Sequence, residues 1–351
     1  MKGMVLAAGF GTRFRPVTHE IPKPMVPLCN RPLIAYAIDP LLTAGCREII
    51  VNLHHLPATL ETYLRERYEV RCDFEFSYEP EILGTGGGIR KVRESLEGGE
   101  DFLLVNGDTV QFPDFEVLRD ARRSIDALAA LTLRHPPAGD RFTKVFFDEG
   151  KITGFGTGTG EALMFSGSHC ISSKVFDFLP DRDFSGITED VYVPVLREET
   201  GTLAGLVNDG LWFDIGTPLR YMSAQRELLA MLTAGALAPP DGSQVMKESG
   251  SLVSNRSQVD GRVHRSVVGE NSRIGSASTL NGSAVWDHST VMRAALEDSI
   301  VAGGVEIPEG MTAKNAMICR SLDDIEYDEG ITRVGDLLAV AIDPSRPFLF
   351  E

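Results

Sequence analysis

The sequence predicts an α/β protein, with a mixed, mostly parallel sheet covered by helices, followed by a short left-handed parallel β-helix. Three observations carry this reading. From residue 1 to about 230, short apolar runs alternate with helix-like stretches, the order that produces a parallel sheet with helices on both faces. Beyond residue 250 the alternation gives way to single apolar residues spaced six apart, as in a triangular coil with one apolar residue per flat face pointing inward. Between the two, "ALAPPDGSQVMKESG" at 236–250 carries adjacent prolines and neither pattern, so the linker is placed there. The expected organisation is a first domain over 1–235, a linker over 236–255, and the coil with its tail over 256–351.

The strands expected in the first domain are "MVLAAG" (4–9), "EIIVNL" (48–53), "FEFSYEP" (74–80) and "FLLVNGD" (102–108), all short, apolar and ended by turn residues. Helices are expected over 32–45, 57–68 and 87–99. "KVFFDEGKITGF" (144–155) reads as a hairpin turning at Asp148-Glu149-Gly150, an antiparallel addition to the parallel core. Further strands are expected over 163–172 and 210–217, then an amphipathic helix over 218–235 ending on glycine. In the coil, Val268, Ile274 and Leu280 keep the six-residue spacing, and after a slip of one position Val285 and Val291 continue it.

Composition narrows the function. The formal charge of −16 over 351 residues argues against a nucleic-acid partner. Small phosphorylated ligands stay open, because a local basic loop can override the mean field. No apolar run approaches the roughly 18–20 residues that span a bilayer, and the N-terminus has no long apolar core, so no membrane association and a cytoplasmic location are expected. Five scattered cysteines without CxxC spacing read as buried reduced thiols.

The chemistry concentrates in "LAAGFGTRFRPVTHEIPKPM", residues 6–25. Gly9 and Gly11 let backbone N–H groups approach an anion, and Thr12 adds a hydroxyl. Arg13 offers a guanidinium suited to bidentate phosphate contact, while Lys23 is a compact cation between Pro22 and Pro24. Such fixed cations suit a nucleoside triphosphate that reacts at its α-phosphorus and loses pyrophosphate. A dinucleotide fingerprint would need a third glycine where Phe14 stands, and a Walker loop would need GKS or GKT after Gly11.

The motif resembles the signature of the sugar-1-phosphate nucleotidylyltransferases, over about residues 1–230, and the coil resembles the tail of several members, including the mannose-1-phosphate guanylyltransferases. The resemblance implies a Rossmann-like catalytic domain that binds an NTP and a sugar 1-phosphate. It makes Arg13 and Lys23 the catalytic cations, and Leu6, Ala7, Ala8, Gly9, Gly11, Thr12 and Arg13 the nucleotide-binding loop. "EPEILGTGGGIRKV" (79–92) resembles the base-reading segment, with Glu79 and Gly84, Thr85, Gly86 through Gly88 as candidates. "LLVNGDT" (103–109) adds Asn106 and Gly107 to the nucleotide site and Asp108 as a Mg²⁺ ligand, with Asp214 of "WFDIGTP" as the second. Lys23, Gly167, Glu189 and Lys144 are the candidates for the sugar phosphate.

One departure stands out. Where relatives carry an E-K-P lysine, this chain reads "GFGTGTGEALMFSG", and Lys144 is the alternative cation. The resemblance favours GDP-mannose synthesis from mannose 1-phosphate. Alternatives are uridylyl transfer to N-acetylmuramate 1-phosphate or another hexose 1-phosphate, guanylyl transfer to heptose 1-phosphate, and a silent nucleotide-sugar-sensing homologue. An acyltransferase coil with His264 or His288 as base is disfavoured by the short repeat region. A homo-oligomer assembled through the coil is expected.

Overall fold

The computed structural model describes residues 1–99, 101–137, 139, 142–322 and 330–351. β1 (Lys2–Leu6) opens the chain, and a small hairpin, β2 (Pro27–Leu28) and β3 (Arg31–Pro32), leads into α1 (Leu33–Thr43). β4 (Glu48–Leu53), α2 (Pro57–Tyr68), β5 (Asp73–Tyr78), α3 (Gly84–Lys91), α4 (Arg93–Leu96), β6 (Phe102–Asn106) and β7 (Thr109–Gln111) follow. Next come α5 (Phe115–Ser124), β8 (Ala129–Arg134), β9 (Lys144–Asp148), β10 (Lys151–Phe155) and β11 (Glu161–Ile171). α6 (Val193–Arg197), β12 (Leu203–Val207), β13 (Trp212–Asp214) and α7 (Pro218–Thr233) complete this part.

Two compact units divide the chain. Met1–Phe10, Pro22–Met25 and Leu33–Asp214 form the first; Gly11–Ile21, Val26–Pro32 and Ile215–Glu351 form the second. The boundary expected at 235 is therefore not where packing divides the chain.

The first unit is built on a nine-stranded sheet of order β5-β4-β1-β6-β11-β8-β12-β10-β9. β5, β4, β1 and β6 run parallel, β12 is parallel to β8, and β11 joins the two groups antiparallel. Strand residues alternate between two cores, which is why the central strands read as continuous apolar runs. Val5, Ile49, Val51, Leu103 and Val105 face α1 residues such as Ile34 and Ile38. Met4, Ile50 and Leu104 face the other way, toward Ile89 and Leu96 of α3 and α4.

The expected hairpin is present as β9–β10, with Glu149 (φ 43°) and Gly150 (φ 84°) both left-handed as a tight two-residue turn requires. The helix expected over 87–99 is instead α3 and α4, broken at Val92 and begun earlier, at Gly84. α5 and β8 were not expected. Asp114 caps α5, accepting from Glu116 N and Val117 N at 3.1 Å. That cap was a legible start signal.

In the second unit the coil is a parallel β-helix. One face runs through 252–253, 267–268, 284–285, 300–301 and 317–318 in parallel register, and the other two repeat the pattern through 258–307 and 262–314. Val268, Ile274, Leu280, Val285 and Val291 are all fully buried, as the spacing predicts. The stretch 236–255, expected as linker, differs: Ser243–Met246 and Ser251–Ser254 are paired strands, and the latter stacks on the coil's next rung. Two- to four-residue strands carry too little periodicity to be read from sequence.

Buried serines hold the coil's corners. Ser251, Ser266, Ser283 and Ser299 form a ladder in which each hydroxyl accepts the backbone N–H one rung on. A second ladder runs through Ser257, Ser272 and Ser289. Ser283→Ala strands the buried Ser299 N–H and is expected to cost about 1–3 kcal/mol, read as a lower urea midpoint; an unchanged midpoint would remove the ladder's structural role.

All five cysteines are free and buried. Burial pushes the Cys29 and Cys319 thiols up to about 12, so they stay protonated and inert. Among the described residues no helix is long and apolar enough to cross a membrane.

Candidate active site

In the first unit the site is built on the carboxyl ends of β1, β4 and β6, where open α/β sheets hold their ligands. As β1 ends, Asn52 at the end of β4 turns the chain: its Oδ1 accepts from Ala7 N at 2.7 Å and Ala8 N at 3.3 Å. Asn52 Nδ2 donates to Glu79 Oε1 at 2.8 Å, and Glu79 Oε2 accepts from Leu83 N at 3.0 Å. Asn52 and Glu79 are 3% and 2% exposed. Glu79, expected to read a nucleobase, is thus turned inward with both oxygens engaged. Asn52 was missed; its signal was a lone amide near the end of the apolar strand "EIIVNL".

Beside it, β6 ends at Asn106, and Gly107 N donates to Leu6 O at 2.9 Å. A side chain on Gly107 would meet Leu6 O at 2.9 Å, so this close approach requires glycine. Asp108 follows, its Oδ2 accepting from Lys23 Nζ at 2.7 Å. Lys23 is buried at the start of a 3₁₀ turn, Lys23–Met25, closed by Met25 N donating to Pro22 O at 2.8 Å. β7 then pairs antiparallel with β13, setting Asp214 opposite Thr109. The two aspartates are thereby brought into adjacent register. Gly167 lies at a bulge of β11 with φ 106°, where a side chain would meet Asn106, Thr109 and Gln111. Glycine is needed there, and the bulge joins Gly167 to the Asp108 turn.

The glycine run opens α3, and two of its donors are spent inside the protein. Gly86 N and Gly87 N donate to Ser185 O at 2.8 and 3.2 Å, and Thr85 Oγ1 accepts from Ile187 N at 2.8 Å. Side chains on Gly86 and Gly87 would run into Ser185 and Asp183. Gly86 and Gly87 thus have a packing reason of their own, beside the expected base-reading role of Gly84–Gly88. Glu189 is exposed on a π-helical turn, Thr188–Tyr192, of the kind frequent at functional sites. Lys144 is exposed at the start of β9, opposite Met164. The turn that replaces the E-K-P stretch carries no cation.

A charged clasp holds the approach to β13. His135 Nε2 bonds Glu161 Oε1 at 2.9 Å and Nδ1 bonds Asp209 Oδ2 at 2.8 Å. Arg134 Nη1 donates to Gly210 O at 3.1 Å, with its guanidinium 5.1 Å from the centre of the Trp212 ring. The hydrogen bonds to Glu161, then to Asp209, raise the His135 pKa. Raised folding-state affinity for the proton means the clasp contributes fully below about pH 6.5 and is lost as pH rises through the folded pKa. Glu161→Gln is expected to lower the His135 pKa measured by NMR, and its stability deficit to vanish at high pH; a deficit independent of pH would contradict this.

In the second unit, Gly11 is left-handed (φ 61°) and opens a 3₁₀ turn, Thr12–Phe14, on which Thr12 and Arg13 are exposed. Thr18 Oγ1 donates to Gly11 O at 2.9 Å and Phe14 is fully buried. The turn therefore presents Arg13 to solvent from a fixed base. His264 and His288 of the coil are exposed.

The first unit's sheet thus brings a buried lysine and two aspartates to its strand ends, and the second unit presents an exposed arginine on a fixed turn. The nucleotidyl transferase family profile matches residues 2–231 and a GlmU-like C-terminal hexapeptide profile matches residues 238–315; the chain belongs to the nucleotidyl transferase family. A UTP–glucose-1-phosphate uridylyltransferase of Synechocystis is 30% identical, across 66% of this chain and 64% of that protein, so the match stops just short of two thirds of the relative's length. A mannose-1-phosphate guanylyltransferase of Mycobacterium tuberculosis is 26% identical over 81% of this chain and 79% of its own. A D-glycero-alpha-D-manno-heptose 1-phosphate guanylyltransferase of Aneurinibacillus thermoaerophilus is 28% identical over 65% of this chain and 98% of its own. The crystal structure of HddC from Yersinia pseudotuberculosis complexed with GMP-PN shares the fold, with a TM-score of 0.54 at 24% identity over 65% of this chain and 99% of that one.

Proposed function

We propose that the protein joins an NTP to a sugar 1-phosphate, giving an NDP-sugar and pyrophosphate, with GTP and mannose 1-phosphate as the preferred pair. The observation that carries the reaction class is the Lys23–Asp108 pair at 2.7 Å with Asp214 set against the adjacent residue. This places a fixed cation and two carboxylates at one strand edge, as a triphosphate reaction centre requires. The guanylyl preference draws support from relatives named guanylyltransferases, of which the M. tuberculosis protein is similar across most of this chain.

In this reading an oxygen of the sugar phosphate attacks the α-phosphorus in line. The α–β phosphoanhydride bond breaks, and its electron pair leaves on pyrophosphate. Arg13 binds the leaving end and Lys23 neutralises charge gathering near the α-phosphate, so no covalent protein intermediate is needed. Asp108 and Asp214, an all-oxygen donor pair, fit Mg²⁺ completed by phosphate oxygens and water and would hold it, supplying positive charge to the phosphates. Asn52, itself held by Glu79, fixes the backbone of Ala7 and Ala8, and Gly167 and Glu189 would serve the sugar side.

The second reading is uridylyl transfer, favoured by the Synechocystis relative. A matrix of the four NTPs against mannose, heptose, glucose and N-acetylmuramate 1-phosphates, read by pyrophosphate release with Mg²⁺, separates them. Highest turnover with GTP and mannose 1-phosphate supports the proposal. Preference for UTP replaces it with the second reading, and no release from any pair makes the chain a silent homologue. Assembly through the coil belongs to the same proposal; light scattering of the full chain tests it, and a monomeric mass would end it.

A further inference from the structure

The coil's outward stack on one face is made of Gly269, Trp286, Ala302 and Cys319, each following a register-matched core residue. Three are small and one is a tryptophan. A large aromatic on the outside of a coil would ordinarily be exposed, yet Trp286 is 4% exposed. What covers it is Tyr221 of α7: Trp286 Nε1 donates to Tyr221 Oη at 2.9 Å, and the rings meet edge to face at 6.0 Å. Tyr221 is itself fully buried, and its hydroxyl lies 2.7 Å from Pro27 O and 2.8 Å from Gln225 Oε1. Its other edge meets Phe14 at 6.2 Å and 82°, and Phe14 is the residue after Arg13. A second tie is independent of these rings. Asn30 Nδ2 donates to Val268 O at 2.9 Å and to Ser243 Oγ at 3.2 Å.

We propose that Trp286 is a positioning residue for NTP binding, with the coil acting through Tyr221 and Phe14 to fix the turn that presents Arg13. This rests on the transferase reading for the role of Arg13. The segments 11–21 and 26–32 belong to the same compact unit as α7 and the coil. The coil, through α7, thus supports the turn of the signature loop that carries Arg13. Fixing a phosphate-gripping group in place is a substantial part of its binding strength.

The test uses the full chain with GTP and with UTP as probes, in Mg²⁺. Trp286→Ala is expected to raise the calorimetric Kd and the KM for the preferred NTP about tenfold, with the KM for the sugar 1-phosphate changed less than about twofold. Trp286→Phe keeps a ring against Tyr221 and is expected to restore most of the loss. A folded Trp286→Ala protein with an unchanged NTP Kd overturns the proposal, as does an equal rise in both KM values. If Trp286→Ala does not fold, Tyr221→Phe, which removes the hydroxyl shared by Pro27 and Trp286, carries the same expectation and the same refutation. The binding arm does not need turnover. A wild-type chain that binds GTP or UTP but releases no pyrophosphate ends the transferase reading and leaves the Kd comparison to decide this one.

Discussion

Replacing Lys23 with methionine is expected to lower pyrophosphate release by about 100- to 1000-fold, the usual loss when one preplaced charge is removed from a developing anion. The side chain is 10% exposed and its ammonium meets Asp108 at 2.7 Å, so it has little freedom to be replaced by water. Asp108 is 41% exposed at the side chain, and water can take over its solvation when the lysine is gone. The converse change is harsher for the fold. Asp108→Asn leaves a nearly buried ammonium without its counter-charge, a costly state, so it is expected to lower stability more than Lys23→Met while lowering turnover comparably. Because the two act as one unit, the double substitution is expected to fall little below the worse single one. Turnover within tenfold of wild type for Lys23→Met, with the sugar phosphate saturating, would remove Lys23 from the reaction.

The residues on which this rests differ in how far the sequence reveals them. Asp108 and Asp214 are visible because each closes an apolar run within a recognisable motif. Their adjacency is not, because β7 and β13 are three residues long and pair across about a hundred positions of chain. Lys23 shows itself by its flanking prolines, yet its partner does not. The hexapeptide spacing exposes the coil from five residues alone, since each apolar side chain fills one flat face. The serine ladders stay hidden, because a serine that satisfies a backbone N–H looks in sequence like a serine facing water. Glu79 illustrates the limit best. Its type suits a base edge, and only the position of Asn52 shows that its carboxylate also holds the chain.

The glycine run is where sequence and packing give different reasons for the same residues, and Gly87→Ala tells them apart. A Cβ at Gly87 would lie far inside van der Waals contact of the Asp183 carbonyl oxygen, a backbone atom that cannot swing aside. Arg90 holds the same segment from the other end of α3, bonding Asp181 at 2.7 Å and Asp183 at 3.0 Å. The methyl therefore forces α3 and the 183–186 segment apart, an overpacking that typically costs about 1–3 kcal/mol. The hydrogen bonds from Gly86 and Gly87 to Ser185 O stretch with it, and Glu189 lies on the turn that follows. Gly87→Ala is thus expected to lower the thermal midpoint and to cut kcat/KM about tenfold or more through a misplaced segment. Gly99→Ala is the control, because its Cβ would find only Leu96 O at 3.8 Å; it is expected to be neutral or slightly stabilising. If the run served only to admit a nucleobase, Gly87→Ala would weaken NTP binding and leave the melting temperature where it was.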